Sequence, residues 1–136
     1  MLRSALSASV LGLALLGLAA PSLAGPPAAI PDAGSERAGR AFDSFAEEWM
    51  QKMARAESQN RTRPTRSGGQ YTYRGYESDF RTELKPTGSP ANPYVGVLRY
   101  REHLFSCSDA GATSCSISAT TPVTEIFRFQ NGRWVY

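Results

Sequence analysis

Apolar residues recur at helical spacing along one stretch of this chain and alternate with polar ones along most of the rest. From Glu36 the apolar positions fall at Ala38, Phe42, Phe45, Ala46, Trp49, Met50, Met53 and Ala56. Steps of three and four predict one amphipathic helix of about five turns, with an aromatic stripe on its buried face. The opposite face carries Arg40, Asp43, Glu47, Glu48, Lys52 and Arg55, and Glu48 stands four residues ahead of Lys52, the favourable order for an intrahelical ion pair. Ser35 is the expected N-cap. The pattern stops near Asn60, where NRTRPTRSGG brings three arginines, a proline and two glycines and reads as a loop.

From Tyr71 the period changes to two. Tyr76, Ser78, Phe80, Thr82 and Leu84 alternate with Glu77, Asp79, Arg81 and Glu83, which predicts a half-buried strand over 71–85. KPTGSPANP, 85–93, reads as a connection, because its prolines exclude helix and central strand. YVGVLRYREHLFSC and SISATTPVTEIFRF read as two long strands, with Pro122 marking a bulge or an edge. In FRFQNGRWVY, Asn131-Gly132 between alternating runs is a strong hairpin cue. That turn sets Gln130 opposite Arg133, Phe129 opposite Trp134 and Phe127 opposite Tyr136, so four rings share one face and meet the aromatic stripe of the helix. A bulge between the cysteines and this end would invert every face, so register is not carried through Pro122.

The first residues change the picture of where the chain goes. Arg3 precedes an apolar run from Val10 to Ala20, followed by Pro21-Ser22-Leu23-Ala24. A short basic region, an apolar run too short to span a bilayer and small residues at Ser22 and Ala24 predict a secretory signal peptide over 1–24, cleaved after Ala24. No cysteine stands at its end to carry a lipid, and an uncleaved anchor is the alternative. Residues 25–35 read as an extended lead-in and 36–136 as a single domain. The charge is nearly balanced, 15 basic and 12 acidic side chains with Arg3 alone in the leader. It gives no warrant for a nucleic-acid partner.

Export bears on CSDAGATSC, 107–115, which holds both cysteines. In an oxidising compartment two cysteines are most simply a disulfide, and Cys107–Cys115 is the one pairing available. Zinc would need four ligands where the chain offers two cysteines and His103, and a redox pair would need two intervening residues rather than seven. The bridge then staples two consecutive strands.

One long helix followed by antiparallel strands in meander order predicts an α+β domain, a helix packed on a curved four- to five-stranded antiparallel sheet. This order, ending in aromatic-x-aromatic-x-Asn-Gly-x-Trp, resembles the cystatin-like and NTF2-like folds. TGSPANPYVGVLRY, 87–100, with the cysteine hairpin and FRFQNGRWVY, is similar to small exported bacterial proteins without an assigned function. NTF2-like domains usually open with two or three helices that cap a pocket, and this chain has one, so the resemblance implies a shallow pocket or none. The Gln-x-Val-x-Gly hairpin of cystatin-like inhibitors is missing, so their inhibitory function is not implied.

Candidate chemistry is sparse. His103, the lone imidazole, alternates with Arg101 and Arg99 on one strand face, while Glu102 lies on the other between Tyr100 and Leu104. An outward His103 joins a basic stripe; an inward Glu102 is a candidate acid or base among aromatics. Asp79, Glu83 and Glu125 would form paired carboxylates only if neighbouring strands brought them together. No nucleophile elbow occurs, and one histidine makes no triad. Arg61, Arg63 and Arg66 are the candidate anion grip, since guanidinium forks match phosphate and carboxylate. Asn60-Arg61-Thr62 is a glycosylation triplet of low specificity.

These residues favour an exported, non-enzymatic binding or interaction module of a bacterial envelope, without metal or cofactor. Its expected partners are an envelope protein, an anionic envelope polymer or a second copy, reached through the concave sheet, the arginine loop or a free sheet edge. The alternative is a small NTF2-like ligand-pocket protein or enzyme with Glu102 or His103 at its polar centre.

Overall fold

The structure, a computed structural model, describes residues 32–136. The signal peptide and most of the lead-in expected from the sequence lie outside the described residues. The helix α1 spans Ala33–Thr62 and is followed by six strands, β1 Thr65–Ser67, β2 Gln70–Tyr76, β3 Arg81–Ser89, β4 Asn92–Cys107, β5 Cys115–Gln130 and β6 Arg133–Val135. One long helix packs on a curled antiparallel sheet, an α+β architecture. Its cap is Asp32 rather than Ser35: the Asp32 carboxylate accepts from the Ser35 backbone N–H at 2.7 Å, which lengthens the helix by a turn and shortens the lead-in.

The sheet order is β1-β2-β4-β5-β6, with β3 also pairing β4. Strands β2 and β3 share one edge of β4: Tyr76 opposes Glu102, and Arg81 opposes Arg99. Five residues separate Tyr76 from Arg81 where three separate Glu102 from Arg99, so the strand expected over 71–85 is broken at 77–80. Its alternation survives the break, because two extra residues leave the parity unchanged. Tyr76, Phe80 and Leu84 pack on the core and Thr82 donates to Asp43 of the helix at 2.7 Å. The region 85–93 also differs from expectation. Strand β3 continues through Pro86 to Ser89, which is tolerated because β3 is an edge strand, where a missing N–H costs no ladder bond. In the expected loop, Gly68-Gly69 with φ of 57° and 85° turns β1 back onto β2, with Ser67 opposite Gln70.

The core lies between α1 and the sheet. Ala38, Phe42, Ala46 and Met50 of the helix meet Leu98, Tyr100, Phe127 and Trp134, and Phe42 and Phe127 are 1% and 0% exposed. The Phe42 ring stands 4.6 Å from Trp134, and Phe45 and Trp49 stand 4.8 and 4.9 Å from Phe127. The hairpin at Asn131-Gly132, with φ of 50° and 74°, sets Phe129 opposite Trp134 as its sequence requires. Ladder pairing ends at Arg128 and Val135, yet Tyr136 still reaches Phe127 at 5.6 Å.

Pro122 pairs with Arg101 in register, and the bulge sits four residues earlier. Ala119 opposes Leu104 and Ile117 opposes Phe105, leaving Ser118 between them with its hydroxyl donating to the Leu104 carbonyl at 3.0 Å. The extra residue inverts the faces of β5. Val123 and Phe127 face the helix, whereas Ile117 and Cys115 lie on the other face beside Phe105 and Cys107. The Cys107–Cys115 disulfide therefore anchors a second, smaller core, in which Tyr73 stacks on Phe105 at 4.7 Å and Ala112 is 1% exposed.

Candidate functional site

The space between helix and sheet is occupied. Phe42, Phe45 and Trp49 fill the concave side against Phe127 and Trp134, so a ligand cavity there would have to displace rings of the main core. The two residues expected at a polar centre lie apart from each other. Glu102 is on the core face at its rim, with Arg74 Nη1 donating to its two oxygens at 3.0 and 3.2 Å. His103 is on the outer face, its Nδ1 2.9 Å from Thr120 Oγ1. Among the carboxylates, Glu125 faces the core and accepts from Tyr100 Oη at 3.3 Å, while Glu83 faces outward and accepts from Arg99 at 2.9 Å. The sheet separates them, so they form no catalytic pair. Among the described residues no three His, Cys, Asp or Glu side chains converge on a metal-sized site.

Titration follows these placements. Burial, reinforced by the negative Glu125, pushes the Tyr100 hydroxyl up to about 12. Hydrogen bonds from Arg99 and then Lys85 hold Glu83 below the usual carboxylate range. In the disulfide loop, bonds from the Thr113 hydroxyl and from the backbone N–H groups of Thr113 and Ser114 lower Asp109.

The three candidate arginines stand at the helix end, the cap and the first strand. Arg61, on the last helical turn, donates to the Ala112 carbonyl at 3.4 Å; Arg63 is the C-cap; Arg66 lies on β1 with its guanidinium 6.0 Å from the Tyr71 ring. Asn60 of the glycosylation triplet is helical, and its Nδ2 donates to the Arg74 carbonyl at 3.1 Å, so the acceptor nitrogen is already engaged. That contact belongs to a device on the edge of β2. Glu57 accepts from the Tyr76 backbone N–H at 2.9 Å, and together with Asn60 it takes up the Arg74 carbonyl and the Tyr76 N–H on the strand edge that short β1 leaves bare. The outer edge of β5 beyond β6 carries the Ser118 bulge and Pro122, both of which discourage strand addition.

The open concavity lies on the outer face, where the 77–80 crossover leaves β4. It measures about 870 Å³ and is lined by Glu77, Asp79, Phe80, Arg81 and by β4 and β5 from Arg99 to Arg101 and Pro122 to Thr124. Arg81 lies directly opposite Arg99 in the antiparallel register, and Arg101 is two residues further along the same face. Arg99 is paired with Glu83 at 2.9 Å and Arg101 more loosely with Glu77 at 3.9 Å, while Arg81 forms no ion pair among the described residues. Two guanidinium groups opposite each other repel. Sequence reasoning saw the Arg99–Arg101 stripe and the outward Arg81 separately. Only the cross-strand register joins them. A second cleft, about 350 Å³ and mostly apolar, lies between Met50, Ala54 and Phe80 on the helix side of the same crossover.

Compared with family models, with curated proteins and with solved structures, the chain matches none.

Proposed function

We propose that this protein is an exported, non-enzymatic binding module of a bacterial envelope that holds an anionic ligand in the outer groove of its sheet. The observation that carries the reading is the Arg81–Arg99 cross-strand pair lining an open concavity, with Arg101 beside it. Like charges set opposite each other cost stability, and an anion placed between them turns that cost into binding. The filled concave side supports the groove over an internal pocket, and the contacts of Glu57 and Asn60 support it over strand addition at β2.

The disulfide supports an oxidising destination, and among the described residues no helix is long and apolar enough to cross a membrane. The helix-then-sheet order supports the resemblance to cystatin-like and NTF2-like domains, with the helix packed against the sheet in place of a ligand.

Two measurements test this reading. Expression of the full chain in a bacterium, followed by N-terminal sequencing of the extracytoplasmic fraction, should give Gly25 as first residue; retention of Met1 in the cytoplasm refutes export. Titration of the oxidised protein with polyanions should show binding that weakens with salt and is lost in Arg81→Gln/Arg99→Gln. Loss in Arg61→Gln/Arg63→Gln/Arg66→Gln instead would move the site to the helix end.

A further inference from the structure

The groove is not purely cationic. Glu77 and Asp79 stand at its wall beside the three arginines, and Asp79 forms no ion pair among the described residues. A site shaped only for a phosphate polymer would gain nothing from carboxylates, which repel such a chain. Carboxylates beside guanidinium groups suit a ligand with two kinds of group. The ligand's own carboxylate takes a guanidinium fork, and its hydroxyls donate to the protein's carboxylates. Thr124 opposes Arg99 on the same face and adds a hydroxyl that donates or accepts. Pro122, opposite Arg101 on the same face, gives apolar wall against which a sugar ring can lie. The concavity is open rather than enclosed, as an oligomer needs when its ends continue beyond the site.

We infer that the outer groove recognises an acidic oligosaccharide, a chain of sugar rings bearing carboxylates, with Arg81 and Arg99 taking the acid group and Asp79 accepting from ring hydroxyls. This rests on the anion-binding reading above and deepens it.

The test is calorimetric titration of the oxidised protein with an oligomer of galacturonic acid, with its methyl ester, and with inorganic polyphosphate. The inference expects binding of the acid oligomer and none of the ester. It also expects a weakening of about tenfold for each of Arg81→Gln and Arg99→Gln. Asp79→Ala separates the two roles of the carboxylate: loss of a hydroxyl acceptor weakens binding, whereas relief of simple repulsion tightens it. Tightening overturns the inference. Binding of polyphosphate through the same arginines with no binding of the acid oligomer overturns the sugar class and leaves the anion groove standing. Binding of neither overturns both.

Discussion

The ring of Phe42 lies directly on the backbone of Gly96: a Cβ built at Gly96 would come within 2.3 Å of Phe42 Cε2. This contact brings the helix close to β4, and it explains why a glycine interrupts the otherwise strand-favouring run Tyr94–Leu98. Gly96→Ala should destabilise the protein by about 1–3 kcal/mol through overpacking, read as a lower urea midpoint with an unchanged slope. Gly88→Ala tests the opposite condition, since its neighbourhood is open but its φ is 74°. Its loss should come from backbone strain alone and be smaller.

Glu57 and Asn60 reach from a helix to hydrogen-bond two backbone groups on a strand edge. Glu57→Ala leaves the Tyr76 N–H without its partner, at a cost of about 1–3 kcal/mol. The double variant Glu57→Ala/Asn60→Ala bares the edge of β2, so sedimentation should show concentration-dependent association that the parent lacks.

The disulfide holds a face of the sheet that α1 leaves largely uncovered. Reduction, or Cys107→Ser/Cys115→Ser, should lower stability by about 2–3 kcal/mol on the loop-entropy argument. The effect should be local: hydrogen exchange should rise for Tyr73 and Phe105 and stay low for Leu98 and Phe127.

Tyr100 sets an alkaline limit. Its hydroxyl is pushed up to about 12 in the folded protein, against about 10 for an ordinary tyrosine. A raised pKa means that the folded state favours the protonated form. The associated stability is present in full below pH about 10 and is lost as pH rises towards 12. Thermal unfolding followed through that window should show the decline in the parent and a shallower one in Tyr100→Phe.

Arg81 should separate stability from binding. Arg81→Thr removes a like-charge pair and leaves a β-branched residue on an edge strand, so the unfolding midpoint should rise by the equivalent of about 0.2–1 kcal/mol while affinity for an anionic ligand falls. An unchanged affinity would place the ligand elsewhere.

The helix, the terminal hairpin and the disulfide were legible in the sequence because each depends on local periodicity or turn chemistry. Helical spacing from Ala38 to Ala56, Asn131-Gly132 between aromatic alternations, and a single pair of cysteines with seven residues between them all carry their reasons within a few residues. Element ends were less legible. Asp32 and Ser35 are both good caps, and only the approach of the Asp32 carboxylate to the Ser35 N–H chooses between them. The Gly68-Gly69 hairpin was hidden because Thr65–Ser67 is exposed throughout and shows no burial pattern to read.

The groove was beyond local reading. Arg81, Arg99, Arg101 and Asp79 come from separate strands and a crossover, and which of them meet depends on the two residues by which 77–80 overshoots β4. In the same way, the single residue Ser118 carries Cys115 onto the face of β4 that holds Cys107, opposite the face to which Val123 and Phe127 turn. Side-chain direction along a strand has a period of two, so the sequence by itself determined which residues share a face within each unbulged stretch of strand. Whether the faces of neighbouring strands agree was decided by register, and register is a property of tertiary pairing.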